Sequence, residues 1–245
     1  PEIEIIADDA LPKNSENNLN SFLKLWLENY INDELSDLLN LTKFKSNNKY
    51  IRALLFQIYE NNGSVKRIEV NQIIKSISKD DRKILWEMGI KIGRYHIYLP
   101  KMLKPKAVSL RVGLWNLFYN VNSENQIPKF GLNFIINQNF NKKFLLICGF
   151  ENFKDFFVRI DILEKLFINI LEKTKNRKFQ ITAEMMNLLG CSKENFHKLM
   201  HFMNYKKDKK EDTYVFSGDL KRNNRFVKVK SAKSPFNKLL SLNIK

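Results

Sequence analysis

The segment Ile90–Leu99 has the sequence Ile-Lys-Ile-Gly-Arg-Tyr-His-Ile-Tyr-Leu and interrupts a chain whose other apolar residues recur mostly at helical spacing. Its apolar residues alternate with polar ones, as in a β-strand, and Gly93-Arg94 offers a pivot at its centre. We therefore predict a strand or tight hairpin here. Because helical patterns lie on both sides, the predicted fold class is mainly α with short β elements, an α+β arrangement.

Amphipathic helices are predicted around this segment, in a helical domain that covers residues 1–125. The predicted elements are a strand at 3–6 and helices over 19–38, 50–59, 66–77, 79–88 and 108–118. The best marked is the fourth helix, because Ser78 can cap backbone N–H groups and Asp80 and Asp81 complement the helix dipole. Gly89 then supplies a left-handed cap at its end.

A second region is predicted after residues 126–142, an Asn-rich stretch that we interpret as a linker or long loop. Residues 143–216 are expected to form a small α+β module. Its predicted elements are strands at 144–148, 156–160, 179–181 and 214–216 and helices at 161–174, 183–189 and 193–203. The order of helix, Gly190 turn, helix and basic wing resembles a winged helix-turn-helix. Residues 217–245 are predicted to be a basic tail that ends in an apolar clip.

The charge of the chain is high and unevenly distributed. The net charge is +16, from 42 basic and 26 acidic residues. Residues 1–40 carry nine acidic residues and two lysines, so the excess of basic residues lies in 41–245. This asymmetry indicates a polyanionic partner. Lysine-rich composition also arises in AT-rich genomes, so charge alone leaves nucleic-acid binding and a merely solvated surface as alternatives.

Sequence motifs of common enzymes are absent. None of the eight glycines begins a Gly-x-x-x-x-Gly-Lys loop, and neither Gly-x-Ser-x-Gly nor His-Glu-x-x-His occurs. Cys148 and Cys191 lack partners at zinc-binding spacing, so we predict two reduced thiols in a cytoplasmic protein. No apolar run approaches the roughly 18 residues of a membrane span. We predict no catalytic residue, metal, cofactor or membrane partner for this chain.

Basic and aromatic residues interleave around the predicted hairpin. Cations neutralise phosphates, and aromatic rings stack on unpaired bases. The candidate nucleic-acid-binding residues here are Lys91, Arg94, Tyr95, His96, Tyr98, Lys101, Lys104, Lys106 and Arg111. A second candidate patch consists of Lys206, Lys207, Lys209, Lys210, Arg222 and Arg225. The alternative is that the rings are half-buried strand residues and the lysines are solvated.

The block Gly89–Pro105 is similar to a signature that follows the motor domains in bacterial relatives of the mitochondrial degradosome RNA helicase, a superfamily-2 family. Weaker similarities occur in the family's order at Ala7–Leu11, Leu114-Trp115, Arg159–Glu164 and Ser234–Phe236. The resemblance implies that two RecA-like domains precede this chain and that ATP and magnesium bind only there. It also implies that residues 1–125 are a helicase-associated domain that helps to enclose a single RNA strand. Expected partners are the motor domains of the same chain and a degradosome ribonuclease.

The chain departs from this family in its tail. Relatives typically have a long Arg- and Gly-rich tail before the final clip, whereas here it has shrunk to residues 217–233. Because the chain begins at Pro1 rather than Met, we expect it to be part of a longer polypeptide.

Three functional hypotheses follow from the sequence. The first is an accessory region of an ATP-dependent RNA helicase that contacts single-stranded RNA. The second is a stand-alone winged-helix DNA-binding regulator, whose groove-facing residues are Lys193, His197, Lys198 and His201. The third is a structural appendage that binds other proteins.

Overall fold

The computed structural model describes residues 13–119, 141–153, 156–175, 178–208 and 213–217, with short pieces at 3, 5, 127–128 and 135–136. In these residues the chain forms ten α-helices, one 3-10 helix and nine short strands in three antiparallel sheets. The fold is therefore mainly helical with small sheets, as the sequence predicts. No helix within the described ranges has the length and apolar character needed to cross a membrane.

Helices dominate the first part of the chain. They are α1 (Lys13–Glu34), α2 (Ser36–Lys43), α3 (Lys49–Glu60), α4 (Asn71–Ser76), α5 (Lys79–Glu87) and α6 (Pro105–Tyr119), with a 3-10 helix at Pro100–Leu103. Their apolar faces meet in one core in which Leu54, Ile58 and Leu85 are fully buried. Core packing of this kind supplies most of the stability of short amphipathic helices.

The ends of α5 follow directly from its sequence. The Ser78 hydroxyl accepts the Asp81 N–H, and the Asp81 carboxylate accepts the Ser78 N–H, which forms a capping box. After the helix, Gly89 has a φ of +81°, a conformation that favours glycine. Both predicted signals are confirmed.

The predicted hairpin is confirmed. β2 (Lys91–Ile92) pairs antiparallel with β3 (His96–Tyr98), and β1 (Ser64–Lys66) pairs with the other edge of β3. Ile97, at the centre of β3, is fully buried and lies between Val65 and Ile92 in register. The sheet is thereby anchored on the helical core, and its β2–β3 turn projects toward the second part of the chain.

Three predicted elements differ from the structure. Residues 19–38 were expected to form one helix, but α1 ends at Glu34 and α2 begins at Ser36. Residues 66–77 were expected to be one helix, but pairing of β1 with β3 takes their first residue into a sheet, and the helix α4 begins only at Asn71. Residues 144–148 were expected to be a strand and instead lie largely in the helix α7 (Lys142–Ile147). A short apolar run fits either structure, and here the Asn141 side chain accepts the Lys143 N–H and caps a helix.

Some predicted segments lie outside the described residues. These are most of the strand at 3–6, most of the linker at 126–142, and all of the tail after Ser217.

The second sheet joins the two parts of the chain. Its strands are β4 (Ile135–Ile136), β5 (Phe150–Phe153) and β6 (Phe156–Arg159), in the order β4-β6-β5. Phe144, Phe150 and Phe157 are fully buried and cluster with Val108 of α6. The second part therefore packs directly on the helical domain.

The last third of the described chain forms a compact unit of three helices and one sheet. Its elements are α8 (Ile160–Lys173), β7 (Lys178–Gln180), α9 (Ala183–Leu189), α10 (Lys193–Phe202), β8 (Tyr205–Lys207) and β9 (Thr213–Phe216). The sheet order is β7-β9-β8. Thr182 and Ser192 cap α9 and α10 as predicted, and Gly190 has a left-handed φ of +65° between them.

Candidate nucleic-acid interface

A cleft of about 830 Å³ lies where the β2–β3 turn and α5 face α8. The turn contributes Gly93 and Arg94, α5 contributes Trp86, and α8 contributes the buried Glu164 together with exposed residues such as Lys165. Because these elements come from both parts of the chain, the cleft depends on how the two parts pack together.

The lining of this cleft is strongly basic. Its basic residues are Arg67, Arg82, Lys91, Arg94 and Lys165. Its two acidic residues already hold other partners. Both oxygens of Asp161 accept hydrogen bonds from Arg159, at 2.6 and 2.9 Å, and Glu164 accepts backbone N–H groups. The acids of the cleft therefore leave its cations largely available to an anionic ligand.

The three arginines of the cleft are anchored mainly by uncharged groups. Arg67 Nη1 donates to the Gly93 carbonyl at 2.7 Å, and Arg82 Nη2 donates to the Ile74 carbonyl at 3.1 Å. The Arg94 guanidinium lies over the Phe167 ring, with Cζ 5.7 Å from the ring centroid. A guanidinium has five N–H donors, so each side chain is oriented while retaining donors for a phosphate.

Arg94 and Arg82 lie close enough to Arg67 to affect its ionisation. Burial lowers the pKa of Arg67, and the positive charges of Arg94 and Arg82 lower it further, against the opposing influence of Glu164. An arginine stays protonated at neutral pH despite such a shift. Positive charges held together in this way repel one another, and a bound polyanion relieves that repulsion.

Glu164 fixes the β2–β3 turn from across the cleft. Its Oε2 accepts the Arg94 N–H at 2.6 Å, and its Oε1 accepts the N–H groups of Tyr95 and His96 at 2.7 and 2.9 Å. A Cβ atom on Gly93 would collide with the Glu164 carboxyl group, so the close approach requires glycine there. The carboxylate therefore sets the position of Arg94.

A second buried carboxylate contacts the same sheet, at His96 beside the turn and at the neighbouring strand β1. Glu151 on β5 receives hydrogen bonds from His96 Nε2 at 2.7 Å and from Lys66 Nζ at 2.6 Å. Burial is the largest single influence on Glu151 and favours its neutral form. The hydrogen bonds and charges of His96 and Lys66 together outweigh it, so the pKa of Glu151 lies below its usual value.

The residues predicted around the hairpin occupy different environments. Lys91 and Arg94 are exposed and line the cleft, and Tyr98 lines it while remaining mostly buried. Burial raises the pKa of Tyr98 to about 12. Tyr95 packs edge-on against Phe167, and burial raises its pKa as well.

His96 and Arg111 lie inside the protein. His96 is engaged by Glu151, and Arg111, which is 4% exposed, donates to the backbone carbonyls of Asn62, Met102 and Ala107. Burial lowers the pKa of Arg111 to about 10. These contacts give both side chains a role in packing the fold.

The other predicted basic residues do not line the cleft. Lys101 pairs with Asp37 at 2.8 Å, Lys106 lies 3.9 Å from Glu34, and Lys104 is exposed beside them. The members of the second patch that the structure describes, Lys206 and Lys207, are exposed on β8. Lys209, Lys210, Arg222 and Arg225 fall outside the described residues.

Sequence reasoning missed several residues that line the cleft. They are Arg67, Arg82, Trp86, Lys165 and Phe167. The sequence spacing could have pointed to two of them, Arg82 and Trp86. In α5, Arg82 and Trp86 are four residues apart, so they share one exposed face of the helix beside the buried Leu85.

No protein-family model, curated protein or solved structure matches this chain. Within the part of the chain that the structure describes, no cluster of three or more metal-binding side chains occurs.

Proposed function

We propose that this chain is the C-terminal accessory region of an ATP-dependent RNA helicase and that it contacts single-stranded RNA through the cleft between the hairpin and α8. The observation that carries the proposal is the cluster of Arg67, Arg82 and Arg94. These arginines are oriented by uncharged groups and lie beside two acids that already have partners. A chain of phosphates is a ligand that such a cluster fits.

The proposed mechanism is electrostatic capture of one strand. Phosphates bind the guanidinium groups and release condensed counterions, so binding is tolerant of sequence and sensitive to salt. Chemical energy comes from the motor domains that are expected to precede this region, where ATP and magnesium bind. The sequence block that resembles the helicase family supports the link, since its residues from Ile90 to Leu103 supply much of the cleft wall. The proposed protein partners are those motor domains and a degradosome ribonuclease, in the cytoplasm.

A winged-helix-like module is the finer description that we propose for residues 160–216. The succession from α8 to β9, with the sheet order β7-β9-β8, is typical of winged-helix domains and supports this description. It also supports a second candidate function, DNA binding by α10 in the major groove. On α10, however, Lys198 pairs with Glu194 at 3.3 Å and His197 is hydrogen-bonded to Tyr214. These contacts lessen the charge and the donors that α10 presents, so the cleft is the favoured site.

The test is fluorescence anisotropy of the 245-residue chain with a labelled single-stranded RNA and with the same sequence as a duplex, over a range of salt concentrations. We expect preference for the single strand and a steep loss of affinity with salt. Arg94→Glu should weaken single-strand binding by about tenfold. The matched control is Lys24→Glu, a charge reversal at an exposed position of α1.

Two results would overturn the proposal. The first is equal affinity for single strand and duplex. The second is duplex-selective binding that Lys198→Glu abolishes and Arg94→Glu does not, which would favour the DNA-binding alternative.

A further inference from the structure

Trp86 presents a large aromatic surface at the mouth of the cleft. Its side chain is 71% exposed, although it lines the same cleft as the three arginines. Across the cleft, Ile168 and Leu171 of α8 are more than half exposed. Exposed apolar area of this size is unfavourable in water, and its concentration at one site is typical of a binding surface.

The spacing of Trp86 and Arg82 limits the kind of ligand that fits. The two residues are one helical turn apart on α5, so their Cβ atoms lie about 5–6 Å from each other on one face. Arg82 is oriented by its bond to the Ile74 carbonyl. Arg67 and Arg94 line the same cleft, and the positive charges of Arg94 and Arg82 both lower the pKa of Arg67. A cation and an aromatic face thus lie on neighbouring turns of one helix and line the same cleft, as recognition of the phosphate and the base of one nucleotide requires.

We propose that Trp86 is a stacking platform for an unpaired nucleobase whose phosphate is bound by Arg82 and its neighbouring arginines. This inference rests on the proposed function and specifies its ligand as a nucleotide unit with an exposed base. Stacking on an aromatic side chain tolerates all bases, because each has a π face. Purines cover more of an indole than pyrimidines do, so oligoadenylate should bind more tightly than oligouridylate.

The aromatic residues expected to stack from sequence are placed less favourably for this role. His96 and Tyr98 are buried, and Tyr95 packs against Phe167. Trp86 has the exposure that they lack. A base in a duplex is covered by its neighbours, so stacking on Trp86 selects single strands by geometry as well as by charge.

An apolar peptide is the competing occupant of this surface. The arginines around Trp86 favour the nucleobase, because an apolar peptide offers them no anionic group, whereas every nucleotide carries one. The experiment therefore separates base contacts from phosphate contacts.

The experiment uses the full chain with Trp26→Phe and Trp115→Phe. Of the three tryptophans, only Trp86 then remains, so the tryptophan fluorescence reports on that residue alone. The probes are a short oligoadenylate, an oligouridylate and an abasic ribose-phosphate oligomer of equal length. Oligoadenylate should quench Trp86 fluorescence strongly, and the abasic oligomer should bind without quenching. In the otherwise unchanged chain, Trp86→Ala should weaken oligoadenylate binding by about tenfold. It should change binding of the abasic oligomer less than about twofold.

Two further variants control for side effects of the substitution. Trp86→Phe keeps an aromatic face and should retain most of the affinity. Phe22→Ala removes an aromatic side chain that is 64% exposed on α1, and it should leave binding unchanged. Unchanged oligoadenylate affinity in Trp86→Ala, with loss in Arg94→Glu, would overturn base stacking and leave the RNA-binding proposal standing. Unchanged affinity in both variants would overturn both proposals.

Discussion

Glu164 on α8 accepts the backbone N–H of Arg94 at 2.6 Å, and this bond links the end of the hairpin to the opposite wall of the cleft. The same carboxylate accepts the two following N–H groups. One carboxylate can accept all three of these hydrogen bonds and so fix the turn, because each of its oxygens has two acceptor sites. The position of the Arg94 side chain therefore depends on a residue about seventy positions further along the chain.

Replacing this carboxylate by an amide should loosen both the fold and the cleft. In Glu164→Gln one oxygen becomes an NH₂ group, which cannot accept the turn N–H groups. We expect the free energy of unfolding to fall by about 1–3 kcal/mol, the cost of leaving buried donors unsatisfied. Urea titration followed by circular dichroism measures this change. Glu172→Gln, an exposed acid on the same helix, is the control, and an equal loss there would contradict the assignment.

The close approach of Glu164 makes Gly93 irreplaceable, whereas Gly113 is free to change. A Cβ atom on Gly93 would collide with the Glu164 carboxylate, so Gly93→Ala should destabilise the protein by about 1–3 kcal/mol. Gly113 lies inside α6, and apart from its chain neighbours and the backbone of its own helix no atom lies within 4 Å of its Cβ position. Gly113→Ala should therefore stabilise the protein by about 0.5–1 kcal/mol. Thermal unfolding of both variants gives the comparison. Opposite signs are expected, and a stabilising Gly93→Ala would refute the collision.

Elements with local sequence signals were predictable, and those set by distant contacts were not. The capped helices α5, α9 and α10 follow from residues such as Ser78 and Ser192, which act within one helical turn. The helix α7 was missed because its short apolar run carries no periodicity to distinguish helix from strand. β1 was missed because its place depends on pairing with β3, some thirty residues later.

In the candidate site, too, residues with local sequence signals could be predicted, whereas residues brought in by distant contacts could not. Arg94 and Lys91 could be selected from the hairpin sequence, since charge and a turn signal coincide there. Arg67, Arg82 and Lys165 join them only through the packing of β1, α5 and α8, which sequence spacing does not reveal. Arg111 was predicted as a phosphate ligand because its charge is visible in the sequence, whereas its three backbone carbonyl partners are not.

The contact between Glu151 and His96 predicts a loss of stability in acid. The pKa of Glu151 is lower in the folded protein than in an unfolded chain, where it is about 4.3. A depressed folded pKa gives stabilisation that is complete above the unfolded value and is lost as the pH falls through the folded value. The free energy of unfolding should therefore fall below about pH 4, and Glu151→Gln should reduce that dependence. Urea titrations between neutral and acidic pH measure this dependence of the unfolding free energy on pH. If Glu151→Gln lost as much stability in acid as the parent protein, the prediction would be contradicted.

Arg111 should support the fold without taking part in RNA binding. In Arg111→Lys, one ammonium replaces a fork that bonds three carbonyls, and the missing bonds should cost about 1–3 kcal/mol of unfolding free energy. Under conditions where the variant is fully folded, its affinity for single-stranded RNA should stay within about twofold of the parent. Anisotropy and urea titration on the same sample separate the two effects. A tenfold loss of affinity in the folded variant would show that Arg111 does take part in RNA binding.

The dependence of binding on salt should distinguish lysines that pair within the protein from cations that line the cleft. Each phosphate contact that is removed lowers the slope of log affinity against log salt by about one. Arg94→Ala should therefore flatten the slope by about that amount. Lys101→Ala should leave it unchanged, because the Lys101 ammonium lies outside the cleft and pairs with Asp37 at 2.8 Å. Both variants remove one positive charge, so a general effect of net charge would flatten both slopes equally. That result would place the RNA path across the wider basic surface, and a change confined to Arg94→Ala would place it in the cleft.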